Sequence, residues 1–292
     1  MDIQYLFAQL FNGLVLGAIY VILSIGLTII FGMLGVVNFA HGALYMLGAY
    51  GVYTFVEVYS SNFWIALLFA PMIVGLIGMA IESTLLRRLY DIPAFYSLLL
   101  TFGLMIVLQE VIAVIYNPLS KPFSTPKDLM GSIDLGFILF PKYRFFVLGI
   151  TTFLVIGVWL FLEKTKIGTI IRAGTDDSQM VDALGIDISK IFTLVFGMGA
   201  WLAGLSGVLT APIHNIFPYM GMNILIDTLI VVIIGGMGSI IGSILGGIIV
   251  GELLAMGAVF WPSLSYILVI MFMAVILLLR PRGFFGREKF FE

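Results

Sequence analysis

Long apolar runs alternate with short polar breaks along this 292-residue chain. A membrane-spanning helix needs roughly 20 apolar residues, with about 17 as the lower limit. On that measure the pattern predicts spans at about 5–31, 43–57, 63–85, 93–116, 145–162, 191–211, 224–241, 242–258 and 264–280. The second run is short, and extending it backwards places Asn38-Phe39-Ala40-His41-Gly42 within the membrane. The first run starts at Tyr5 with no basic stretch before it and reaches about Phe31. A signal-peptide core is only ~7–15 residues long, so this run is expected to remain as a span.

The 224–258 stretch strains the scheme. Its 35 residues make about 52 Å of helix at ~1.5 Å per residue, too long for one span and barely enough for two. Gly235-Gly236-Met237-Gly238 interrupts it. Irregular backbone at membrane depth is tolerated only where protein or water surrounds it, so a broken helix in the protein interior is expected. Gly32, Gly35 and Gly48 match Gly235, Gly238 and Gly251 at one constant offset. Two explanations stand: an internal repeat, as in many transporters, or chance alignment among 33 glycines. The 117–143 segment carries Pro118, Pro122, Pro126, Asp128, Asp134 and Pro141. Such turn chemistry predicts a surface loop, either a plain connector or a contact site.

Charge then orients the chain. Arg87, Arg88, Lys164, Lys166, Arg172, Lys190, Arg280, Arg282, Arg287 and Lys289 fall on one side of this reading. Lys121, Lys127, Lys142 and Arg144 share one loop on the other. The positive-inside rule places the N-terminus outside and the C-terminus and the 163–190 loop in the cytoplasm. A basic C-terminus inside requires an odd number of crossings after Asn223, and three short ones satisfy it. Mean hydropathy of +1.17 and 10% charged residues exclude a soluble surface. The expected fold is an all-α polytopic membrane protein of about eight to nine transmembrane helices, some broken by glycine, in one domain over 1–292. The net charge of −2 gives no reason to expect nucleic acid, and the absence of cysteine removes thiol and Cys-metal chemistry.

Within the basic loop, Thr175 is a good N-cap, and Asp176 and Asp177 then occupy a first helical turn. Gly185 suits the C′ position. Met180, Val181 and Leu184 form an apolar stripe between them. A helix this short needs a surface to pack on. Its own bundle or the membrane interface would serve, and so would a groove in a cytoplasmic partner. Glu110, Asp227 and Glu252 fall in predicted spans and are expected to gather toward the outer half. Buried carboxylates of this kind line pathways or form polar pairs. His41 beside Asn38 either satisfies free backbone groups or meets a passing solute. Two distant histidines make no metal site. Glu82 is expected to pair with Arg87 at the inner boundary, and Thr101 and Gln109 to bond between helices. No P-loop, nucleophile elbow or H-E-x-x-H is present. Energy for uphill transport is therefore expected from another subunit.

Three stretches carry a resemblance. They are Gly26 to Tyr50, centred on Asn38-Phe39-Ala40-His41-Gly42; Arg172-Ala173 followed by Ala183-Leu184-Gly185-Ile186; and Val232 to Gly242, with Gly235-Gly236-Met237-Gly238-Ser239. In order and over nearly the whole chain they resemble LivH-type permeases of branched-chain amino-acid ABC importers, in the superfamily that includes ribose permeases. The resemblance implies a multi-pass protein of the bacterial inner membrane, non-catalytic and without a cofactor of its own. It implies a LivM-type second permease, two cytoplasmic ATPases that hold ATP and Mg, and an extracytoplasmic substrate-binding protein. It maps Arg172, Ala173, Asp176, Asp177, Met180, Val181, Leu184 and Gly185 onto an ATPase-coupling helix. Asn38, His41, Gly42, Gly235, Gly236 and Gly238 become candidates for a gate, because glycine lets backbone bend without a clash. Glu110, Asp227 and Glu252 become candidates for the pathway. The cargo stays open, since relatives move urea, short amides or other amino acids. Two further classes compete: a stand-alone secondary transporter or channel coupled through those carboxylates, and a membrane enzyme or scaffold.

Overall fold

The computed structural model describes residues 3–90, 92–136 and 138–286. Along them run α1 Ile3–Leu34, α2 Ala40–Tyr53, α3 Phe63–Thr84, α4 Ala94–Tyr116, α5 Lys142–Lys164, α6 Lys166–Asp176, α7 Ser178–Ala183, α8 Ile188–Thr210, α9 Met220–Gly235, α10 Ile240–Phe260 and α11 Ser265–Leu279. Seven helical stretches are long and apolar enough to cross a membrane. The chain is an all-α polytopic membrane protein. Every expected span has a helix, but α2 and α9 have only 14 and 16 residues, short of a full crossing.

Helix α1 is the pillar, buried almost continuously from Gly13 to Met33. Close approach through small residues builds the bundle around it, as packing between helices in lipid requires. Helix α10 runs antiparallel to α1, with Gly251 against Gly17 and Gly247 against Val21. The Thr28 and Ser243 hydroxyls meet at 2.6 Å on the same seam. Helix α8 packs on another side of α1 through Gly199 and Gly26, and touches α2 through Gly204 and Gly48. Side chains at Gly48 or Gly251 would collide with the facing backbone.

Helix α3 is antiparallel to α8, pairing Gly78 with Ala200 and, one end further, Arg87 with Ser189. Glu82 is fully buried there. It accepts from Tyr90 at 2.6 Å, from the Thr193 hydroxyl and from Arg87 at 3.3 Å. The expected Glu82–Arg87 pair is thus the centre of a larger polar knot. This end of the bundle also holds the end of α1 beside Thr175 and Gly238, so it is called the basic end below. Arg287 and Lys289, counted on the same side in the sequence, lie outside the described residues.

Helix α2 begins well inside the bundle. The Phe39 N–H donates to Thr101 Oγ1 at 3.2 Å, Ala43 packs with Met105, and Tyr50 stacks with Tyr116. The two helices therefore run parallel. Thr101 is seven residues into α4, so α2 starts about 10 Å from the basic end of α4 at ~1.5 Å per residue. Asn38 to Gly42 accordingly lie at membrane depth. Ala40, His41 and Gly42 are already helical, and the irregular backbone is confined to residues 35–39.

Two expectations need correction. The 224–258 stretch breaks at its glycines as expected, but the span boundary lies at 236–239 and not between 241 and 242, because Gly236 and Gly238 take left-handed φ values of 100° and 81° and Ser239 Oγ caps α10 by accepting the Gly242 N–H at 3.1 Å. The result is an antiparallel hairpin, with Gly235 against Gly242 and Val231 against Gly246. Helix α11 then returns beside α10, with Gly257 against Ser265. The outer 117–143 segment is more than a loop. Ser132–Asp134 and Leu139–Pro141 form a two-stranded antiparallel sheet, with Ile133 opposite Phe140. Asp128 accepts from Trp64 Nε1 at 2.9 Å, and Lys121 bridges Ile216, so the segment is fastened across the end opposite the basic one.

Candidate functional site

The segment between α5 and α8 is two helices, not one. Thr165 opens α6 by accepting the Gly168 N–H at 3.0 Å. Thr175 does not cap a helix: its hydroxyl donates to Ile171 O at 2.9 Å inside α6. Thr175 is itself in the last turn of α6 and lacks the extended backbone that an N-cap needs. Asp177 takes the role instead, with an extended backbone and its carboxylate accepting the Met180 N–H at 2.9 Å. Asp176 therefore sits in the last turn of α6, the end that the helix dipole disfavours for an acid. Gly185 does close α7, with a φ of 83°. Gly185 N–H bonds Asp182 O at 2.9 Å and Ile186 N–H reaches Val181 O at 3.4 Å, the paired bonds of a Schellman end.

Helix α6 is anchored and α7 is presented. Gly168 sits on the last carbonyls of α5, and Gly174 rests on the Met33 side chain of α1. Arg172 bonds Leu162 O and pairs with Glu163 at 3.5 Å, while Ala173 is exposed. On α7, Val181 is buried but Met180 and Leu184 are 59% and 73% exposed. The predicted apolar stripe thus splits into one anchor and two outward side chains that nothing among the described residues covers. Beyond it, Asp187 pairs with Lys190 at 3.0 Å and accepts its N–H. That hydrogen bonding holds the Asp187 carboxyl below the usual carboxylate range.

The other candidates divide. Asn38 is 1% exposed, and neither atom of its amide has a partner. His41 is fully buried, with Nε2 at 3.0 Å from Leu23 O and Nδ1 without a partner. Gly42 packs directly on the Gly221 backbone at the start of α9. Gly235, Gly236 and Gly238 build the α9–α10 hairpin already described. Thr101 bonds between helices as expected, whereas the Gln109 amide nitrogen has no partner.

The three carboxylates do not gather. Glu110 lies on the exposed side of α4 and accepts from Tyr219 at 3.1 Å. Asp227 accepts from Tyr20 at 2.9 Å, and sits midway along α9 because that helix begins at Met220, earlier than the sequence pattern placed it. Glu252 packs on Gly13 with Oε1 unpartnered. Among the described residues no three His, Cys, Asp or Glu side chains form a metal-holding group. The partners that separate the acids, Tyr20, Tyr219 and Gly13, are all distant in sequence, so spacing gave no sign of them.

Residues 9–279 match the profile of a family described as the permease component of branched-chain amino acid transport systems. The chain belongs to this permease family. It is 31% identical to the high-affinity branched-chain amino acid permease BraD of Pseudomonas aeruginosa, over 99% of this chain and 98% of the relative. It is 30% identical to LivH of Escherichia coli, over 98% and 97% respectively. The ribose import permease RbsC of Haemophilus influenzae is 26% identical over 65% of this permease and 58% of its own length. Among solved structures, PsaBC from Streptococcus pneumoniae in complex with Fab superimposes with a TM-score of 0.50 at 12% identity, covering 92% of this chain and 89% of that one. That likeness concerns the fold alone. Asn38 and His41 thus belong to a permease whose interior they help form, and Met180 and Leu184 are exposed at its basic end.

Proposed function

We propose that this chain is the non-catalytic permease subunit of an ATP-driven importer for branched-chain amino acids in the bacterial inner membrane. Its partners are a second, LivM-type permease, two cytoplasmic ATPases that carry ATP and Mg, and an extracytoplasmic binding protein. The basic end faces the cytoplasm and the N-terminus faces outside, following the distribution of Lys and Arg. The observation that carries this reading is the pair Met180 and Leu184, exposed on a short helix at the basic end. Exposed apolar anchors on an amphipathic helix suit the groove of a protein partner. Asp177 and Gly185 fix the ends of that helix, and Arg172 ties its base to α5, so a push on α7 reaches α5 and, through Gly174 and Met33, α1.

Glu110 supports the location of the pathway. A carboxylate in a span faces the protein interior or a water-filled cavity, not lipid, so the exposed side of α4 fronts such a cavity beside the second permease. Asp227 and Glu252 lie apart from that face, against Tyr20 and Gly13 of α1, and serve as separate polar groups and not as an ion-coupling cluster. The gate falls on the α1–α2 return, where Asn38 and His41 carry unpartnered buried atoms and Gly42 lets α2 ride on α9. Gly235, Gly236 and Gly238 form the fixed hairpin against which it moves.

The test is transport by the reconstituted complex. Met180→Asp and Leu184→Asp change exposed residues and leave the bundle folded. Each is expected to lower ATP-dependent leucine uptake and ATPase stimulation by loaded binding protein roughly tenfold or more, the loss of a hot-spot contact. Normal coupled transport by both would overturn the reading. Urea uptake in place of leucine would keep the coupling but replace the cargo. Labelling of a single cysteine at Gln179, in a chain with no other cysteine, reports which side α7 faces.

A further inference from the structure

A cleft of about 350 Å³ opens between α1, α5, α6 and the start of α10, a volume in the range of small-molecule sites. Val155, Ile156, Ile241 and Ile244 are among its walls, and Arg172 and Trp159 stand near its basic end. From Glu163 back to Val155 is eight residues of α5, so the cleft extends about 12 Å into the membrane at ~1.5 Å per residue. Ile156, Trp159 and Ile241 are 50%, 48% and 57% exposed on helices long enough to span. The cleft therefore opens sideways toward lipid and not only toward water.

Its mouth holds the Arg172 guanidinium. Both contacts of Arg172, to Leu162 O and to Glu163, use Nη1, and a guanidinium carries five N–H donors. Lys164 and Lys166 are exposed on the same segment but outside the lining, where Glu163 is the anion beside Arg172. Tryptophan favours the headgroup level of a bilayer. An apolar slot open to the bilayer, ending at a guanidinium with further N–H donors, matches an anionic amphiphile better than a water-borne ligand. We propose that the cleft seats one acyl chain of an anionic phospholipid, with its phosphate at Arg172. The bound lipid would brace the base of α6 against α5 and α10. This proposal rests on the membrane fold and stands apart from the assignment of α7 to an ATPase.

Trp159 supplies the readout. The full chain is reconstituted in bilayers containing brominated-chain phosphatidylglycerol or brominated-chain phosphatidylcholine. The Trp159 share of the fluorescence quenching is the part that Trp159→Phe removes. Phosphatidylglycerol is expected to reach half-quenching at roughly fivefold lower mole fraction, the advantage of about one basic side chain at an anionic lipid. Arg172→Gln should erase that preference. Ile241→Phe, at an exposed position, should fill the slot and reduce quenching by both lipids. Excess inorganic phosphate should change nothing. Equal quenching by the two lipids, an unaltered preference in both variants, or relief by inorganic phosphate, which would mark a free-anion site, would each overturn the proposal.

Discussion

After α1 the chain turns back through residues 35–39 into α2, and after α9 it turns back through residues 236–239 into α10. Both turns use glycine at left-handed φ: 66° at Gly35, against 100° and 81° at Gly236 and Gly238. The second turn is closed on every side. Ser239 N–H bonds Gly236 O at 3.1 Å, and Phe284 and Phe285 N–H groups bond Ile234 and Gly235 carbonyls at 2.9 Å each. The first is held by fewer bonds, and its Asn38 amide and His41 Nδ1 are buried without partners. A buried polar group left unpaired costs about 1–3 kcal/mol. Similar glycine chemistry thus gives one fastened hairpin and one return that stays under-bonded. Elements that move are drawn from the less stable parts of a fold, which is why the gate is proposed at Asn38.

Substitutions can break this comparison. Gly236→Ala combines left-handed strain with a collision against the Gly286 and Arg282 backbone. It should cost about 3 kcal/mol or more, read as a loss of thermal stability and of monodisperse protein in detergent. Gly35→Ala meets nothing within 4 Å, so only the backbone strain of about 1–2 kcal/mol remains. Equal losses from the two alanines would mean that the turns do not differ in packing. Ser239→Ala removes the α10 cap and should lower stability by about 1 kcal/mol, measured by the same melts. Asn38→Leu should be smallest in stability, neutral or stabilising by up to about 1 kcal/mol, because it deletes unpaired atoms without opening a void. Its leucine uptake in the reconstituted complex should nevertheless fall. A destabilised Asn38→Leu would show that the amide is satisfied in the folded protein, and the contrast between the two turns would go.

Much of this was legible in the residues. Gly235, Gly236 and Gly238 announced the break between α9 and α10. The Thr175 cap was misread because α6 runs on through Asp176, so the extended N-cap backbone falls at Asp177, and local sequence does not show that extension. The outer sheet was missed because three-residue strands such as Ser132–Asp134 leave no alternation to detect. Glu110 and Asp227 found separate tyrosine partners far along the chain, Tyr219 and Tyr20, which spacing does not reveal.

By itself the amino-acid order determined that the protein lives in lipid, which end carries the positive charge, and roughly where each helix lies. Those properties sum over many residues, and solvent transfer reads them without knowing any neighbour. Only the tertiary structure decided that α2 starts at depth, that Asn38 is left unpaired while Asp227 is not, and that Met180 and Leu184 point away from the bundle. Each of these depends on which distant side chain arrives within hydrogen-bond or contact distance, and packing of the whole chain sets that.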